Sequence, residues 1–220
     1  FTIPVFLGNV FQQLYSMADA VIVGKFVGTK GLAAVGATGT ITFLIIGFLM
    51  GLTTGFTVLT SQKFGAGRMD EMRKTVGNAA ILSVVIAVVM TAVSMLGMHR
   101  LLVFMHTPED IFDGAYGYIM IICAGIFTQV LYNLVSSILR ALGNSKTPLY
   151  FLILAAVLNI VLDLVFIIFF HWGAPGAAWA TVVSQGVSGL LCLIYIWKAV
   201  PELKMKREDW HFDKYIAGKQ

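Results

Sequence analysis

The chain has 220 residues, of which 58% are hydrophobic and only 12% charged, with a formal net charge of +4. Soluble domains are roughly 45–50% apolar and about 25% charged, so composition excludes a water-soluble globular enzyme, a disordered tail and a nucleic-acid-binding domain. The two cysteines both sit in apolar stretches, which excludes a disulfide-stapled secreted fold. The chain reads as an all-α integral membrane protein.

A helix crossing the hydrocarbon core needs roughly 20 mostly apolar residues. Six stretches meet this, at about 2–24, 32–61, 75–97, 115–139, 148–170 and 176–197. The gaps between them hold glycines, prolines and charges. They run from Gly24 to Gly31, from Lys63 to Glu71, from His99 to Asp113, from Arg140 to Pro148 and from His171 to Pro175. A β-barrel is excluded, because its strands would be half as long and would alternate strictly. Residues 1–200 are therefore expected to form one six-helix lobe, and residues 201–220 a polar, amphipathic cytoplasmic linker. Phe1 already lies in an apolar run, no initiator Met precedes it, and no cleavable signal peptide is visible. The chain is expected to be incomplete, its tail leading towards a further membrane segment.

Orientation follows from Lys and Arg. The second and fourth gaps and the tail hold twelve of them: Lys63, Arg68, Arg73, Lys74, Arg140, Lys146, Lys198, Lys204, Lys206, Arg207, Lys214 and Lys219. The other gaps hold only Lys25, Lys30 and Arg100. Positive charge collects on the cytoplasmic side, so both chain ends are expected there, and the basic excess needs no nucleic acid to explain it.

Acids inside the apolar runs are the most informative residues. Asp19 lies in the first helix and Asp163 in the fifth, where an ionised Asp costs about 2.5–3.5 kcal/mol at the bilayer centre. Both fall roughly 22–26 Å above the cytoplasmic end at 1.5 Å per residue. Asn159 is one turn below Asp163 on the same face, and Thr181 descends from the outer side to that level. Polar stripes run along the first helix (Asn9, Gln12, Gln13, Ser16, Asp19), the fourth (Gln129, Asn133, Ser136, Ser137, Arg140) and the sixth (Thr181, Ser184, Gln185, Ser188). One such stripe alone would serve as interhelical glue. Three stripes with two acids predict a wet cavity.

Gly47, Gly51 and Gly55 in the second helix form overlapping small-xxx-small steps, expected to pack closely against a neighbour. Pro4 removes a backbone hydrogen bond and is expected to permit a bend in the first helix. The ten methionines are expected to be filler, a few of them lining an adaptable cavity wall. Other chemistry is absent. His99, His106, His171 and His211 are read as loop or tail residues without metal-ligand spacing, and Gly65-Ala66-Gly67 lacks a Walker ending.

These residues resemble the N-terminal half of a multidrug and toxic compound extrusion (MATE) transporter. The matching segments are Gly8-Asn9-Val10-Phe11-Gln12-Gln13-Leu14-Tyr15 with Asp19, Val23 to Gly28, Leu32 to Gly36, Gln62 to Gly67, Arg140 to Pro148, Asn159 to Asp163, and Gly176 to Thr181. They span nearly the whole chain in the family's order. The resemblance implies twelve helices in two six-helix lobes, exporting cationic or amphipathic compounds against H+ or Na+ across the bacterial inner membrane. It implies that Asp19, Asn133, Asn159, Asp163 and Thr181, with Gln12 beside them, form the cation-coupling cavity, and it matches Pro4 to the family's first-helix proline. The expected partners are the bilayer, the small substrates and a second lobe of the same polypeptide, in a monomer without cofactor.

The mechanism expected from this has Asp19 and Asp163 binding the coupling ion, so that ion and cationic drug compete for one electrostatic site. Adjacent acids suit a shared proton; Asp, Asn and Thr oxygens equally suit Na+, and both ions stay open. A lipid or lipid-linked oligosaccharide flippase of the same superfamily would share the architecture but line its cavity with basic groups for a pyrophosphate. A non-transporting scaffold would not need two intramembrane acids, and no nucleophile–base pair points to an enzyme.

Overall fold

The computed structural model describes residues 2–204, 207–210 and 213–218; Phe1, Lys206, His211, Phe212 and Lys219 lie outside them. The described residues are helical and contain no strand. The main helices are α1 (Thr2–Phe26), α2 (Thr29–Gly65), α3 (Met69–Phe104), α4 (Glu109–Ala124), α5 (Ile126–Ala141), α6 (Lys146–Leu164) and α7 (Ala174–Ala199). A π-helix, Val165–Phe169, extends α6.

Four of these rods, α2, α3, α6 with its π turn, and α7, are each long and apolar enough to cross a membrane. The pair α4–α5 makes a fifth crossing, bent by 47° at Gly125. The α1 helix has 25 residues, enough to span, but Gln12, Gln13 and Asp19 make it less apolar than the rest. The fourth predicted helix is thus two, and the predicted ends were drawn too short. The Gly24–Gly31 gap shrinks to a turn at Val27 and Gly28, and α2 runs on to Gly65. His99 is inside α3, not in a loop; its ring meets Phe112 and Tyr116 edge-on at 5.4 and 5.7 Å. His106 and His171 do stand in turns, with φ of 54° and 55°.

Small residues set the packing along α4 and α7, and not at Gly47 or Gly51 of α2. A Cβ on Gly189 would lie 3.3 Å from the Tyr132 backbone nitrogen, and one on Gly117 would lie 3.1 Å from Pro175. These positions let α7 seat against α5 and α4. Gly125, at the bend, faces Val182 with no room for a Cβ. Gly47 and Gly51 are exposed, with nothing within 4 Å of a Cβ there, and Gly55 is half-buried. The expected close contact is therefore not made at Gly47 or Gly51 among the described helices. Spacing places the three on one face, but it does not say what the face meets. Pro4 lies within α1, which is one helix from Thr2 to Phe26.

Two buried apolar clusters flank the polar interior. Cys123 belongs to one and Cys192 to the other, both free and 0% exposed. Buried threonines of α2 satisfy their own hydroxyls by donating to carbonyls one turn back, as Thr53 does to Leu49 at 2.9 Å. Large apolar side chains such as Phe43, Val88, Leu96 and Trp197 cover the outside, the arrangement expected in lipid. After α7 the chain folds back on α3. Asn78 Nδ2 donates to the Asp213 carbonyl at 2.9 Å, and the Asp213 N–H donates to Asn78 Oδ1 at 3.2 Å.

Candidate functional site

Three helices bring the acids together. Asp19 is half-buried on α1; Asn159 and Asp163 share one face of α6, 1% and 0% exposed; Thr181 comes from the second turn of α7. Asn159 Nδ2 donates to Thr181 Oγ1 at 3.3 Å, and Thr181 Oγ1 lies 3.5 Å from Asp19 Oδ2. The Thr181 hydroxyl also has its own helix's Ala177 carbonyl at 3.1 Å. Its one proton serves one of these acceptors at a time.

The Asp19 and Asp163 carboxyl groups are within hydrogen-bonding reach of each other. Neither donates when ionised, so no hydrogen bond joins them unless one carries a proton. Both Asp163 oxygens, Asp19 Oδ1 and Asn159 Oδ1 are buried without a hydrogen-bond donor. Four acceptor oxygens at one point are chemically able to take up a proton or a small cation. Asp163 lies near the end of α6, two residues before a π-helix begins. Such wide turns recur at functional sites.

Tyrosines surround the pair. Tyr15, one turn before Asp19 on α1, accepts from Gln12 Nε2 at 3.4 Å and has Gln185 beside it. Tyr118 of α4 is buried within electrostatic range of Asp19, Asp163 and Tyr15. Neither tyrosine was read from the sequence. The i, i+4 spacing to Asp19 was a usable signal for Tyr15; nothing marked Tyr118 among its apolar neighbours.

The remaining predicted members divide. Gln12 reaches the cluster only through Tyr15. Asn133 does not join it: it lines a separate small cavity, with Gln12, Pro4 and Arg140, between α1, α5 and α6. Only the family resemblance places Asn133 in the cluster; it lies on α5, beyond the 47° bend between α4 and α5. Gln13 and Ser16 are exposed, so the α1 stripe splits between the interior and the surface.

The sequence pattern of the MatE family matches residues 4–165. Among curated proteins, the chain is 34% identical over 198 residues to the probable multidrug resistance protein YpnP of Bacillus subtilis strain 168, covering 90% of this chain and 44% of that protein. Among solved structures it is similar to an outward-facing multidrug resistance MATE family transporter, with a TM-score of 0.92 at 28% identity, covering 99% of this chain and 48% of that one. An inward-facing MATE transporter matches with a TM-score of 0.88 at 27% identity over 94% of this chain and 47% of that one. The chain thus spans about half the length of the relatives it matches.

Proposed function

The chain belongs to the MatE family of multi-pass membrane transporters, and from that premise we propose that it forms the ion-coupling half of a secondary antiporter that exports cationic or amphipathic compounds in exchange for H+ or Na+. The observation that carries this reading is Asp163, 0% exposed with both carboxylate oxygens lacking a donor and Asp19 beside it. A purely structural acid at this depth would have an Arg or Lys partner or a set of N–H donors. A site left short of one positive charge is suited to receive it reversibly.

Coupling follows from the balance of charge. With the pair unfilled, the interior is electronegative and holds an organic cation well. Uptake of H+ or Na+ between Asp19 and Asp163 cancels that attraction, so ion and substrate exclude each other without touching the same atoms. Asn159 and Thr181 contribute neutral oxygens that complete a Na+ shell or orient a protonated acid. The six-helix unit is similar to neighbours in both outward- and inward-facing states, which supports its acting as a rigid half that carries its site through the cycle.

The test is efflux of a fluorescent cationic dye from liposomes holding the intact protein, first under a proton gradient and then under a sodium gradient. Transport under one gradient, abolished in Asp19→Asn and Asp163→Asn, is the expected result. Variants as active as wild type, or transport indifferent to both gradients, would overturn the reading.

A further inference from the structure

The basic residues of the chain fall into two kinds. Arg73, whose side chain is 16% exposed, pairs with Asp70 and lies 3.7 Å from Asp209. Lys30 pairs with Asp110, and Lys63 and Arg68 pair with Glu71. Arg140, half-buried in the last turn of α5, has no carboxylate partner among the described residues. Of the five N–H donors on its guanidinium, one reaches a side chain, Ser137 Oγ at 3.2 Å.

Arg140 lines a cavity of about 40 Å3 between α1, α5 and the start of α6. Asn133 and Ser145 line it too, 8% and 7% exposed, and their side chains have no hydrogen-bond partner among the described residues. Ser145 precedes the first residue of α6, and its own hydroxyl does not cap that helix; the Thr147 N–H there is taken by Asn144 Oδ1 at 3.1 Å, which leaves the Ser145 hydroxyl unused. The Tyr132 hydroxyl, on the same wall, is used by the Pro148 carbonyl at 3.1 Å. A guanidinium, an amide and a hydroxyl therefore converge on one space as unused donors. The negative end of α5 explains why an Arg is welcome in its last turn. It does not explain why Asn133 and Ser145 are left open beside it.

We propose that this cavity binds one small monovalent anion of chloride's size, held by Arg140, Asn133 and Ser145. A half-buried guanidinium without a counter-charge is costly, and an ion from solution supplies that charge where the chain does not. The space holds a few waters at about 10–15 Å3 each, which admits a monatomic anion and is tight for phosphate. The site lies on the face assigned to the cytoplasm, so the ion comes from inside the cell. Gln12 connects it to the acids, since it lines this cavity and donates to Tyr15 one turn from Asp19.

Thermal unfolding of the intact protein in detergent tests this, in gluconate buffers to which chloride, bromide or phosphate is added at constant ionic strength. The expected result is a saturable rise in Tm with either halide, which Arg140→Gln abolishes. Should that variant fail to fold, Ser145→Ala is expected to raise the half-saturating chloride concentration about tenfold while keeping the maximal rise. Equal halide responses in wild type and variants overturn the proposal, as does a wild type that responds only to phosphate. A wild type indifferent to all three anions overturns it too, and would mean that a carboxylate from elsewhere in the protein meets Arg140.

Discussion

In one part of the bundle, two carboxylates lie beside each other and Asp163 has no donor. In another, a guanidinium lines a cavity and has no carboxylate partner among the described residues. Opposite charges in one small bundle would ordinarily be expected to pair, and elsewhere in the chain they do, as at Arg73 and Asp70. Here α1 keeps them apart. Asp19 reaches one site and Gln12 the other, seven residues away along the helix, or about 10 Å of rise. An Asp–Arg pair would satisfy both groups permanently and hold the interior fixed. Separation leaves each site dependent on something that arrives from solution.

The largest expected effect comes from neutralising the acidic site. Asp163→Asn is expected to lower gradient-driven efflux at least about 100-fold while leaving Tm unchanged or higher, since removing an unpaired buried charge relieves a cost. Liposome efflux and thermal unfolding on the same preparation check both halves of that statement. A fall in Tm would mean that the acid stabilises the fold, and the contrast between the two sites would lose its basis.

Next in size is a variant that erases the contrast from the other site. Gln12→Glu places a carboxylate on the wall shared with Arg140, where it is expected to pair with the guanidinium and cut the apparent chloride affinity about tenfold. Halide titration of Tm reads this directly. Tyr15→Phe breaks the link between the two sites without adding charge. One hydrogen bond is worth about 1 kcal/mol net, so a shift of about fivefold in the half-saturating concentration of the coupling ion is expected in dye-efflux assays. The smallest effect belongs to α2: Gly51→Ala, at a position open to its surroundings, is expected to change the stability of this helical unit by no more than about 0.5 kcal/mol in denaturant unfolding. The same change at Gly189 presses on the Tyr132 backbone and is expected to cost about 1–3 kcal/mol.

Much of this was legible before any coordinates, for an identifiable reason. In lipid a polar side chain is expensive enough to be conspicuous, so Asp19, Asn159, Asp163 and Thr181 stood out, and the i, i+4 rule put two of them on one face. What depended on direction was harder to read. The Ala124–Gly125 break carries no proline, so the 47° bend that splits the fourth predicted helix could not be read from the residues. The α2 glycines show the same limit, because spacing defines a face but a neighbour defines its use. Tyr118 was invisible because an aromatic in an apolar run looks like filler until the fold brings it near a charge.

The burial of the two native thiols has a practical consequence. Cys123 and Cys192 are each 0% exposed inside separate apolar clusters, where a thiol is inert. Within these 220 residues, maleimide dyes or nitroxide spin labels would therefore react only with cysteines introduced on purpose. Probes at exposed sites such as Gly51 on α2 and Ser16 on α1 would report distances without first removing native residues from the core.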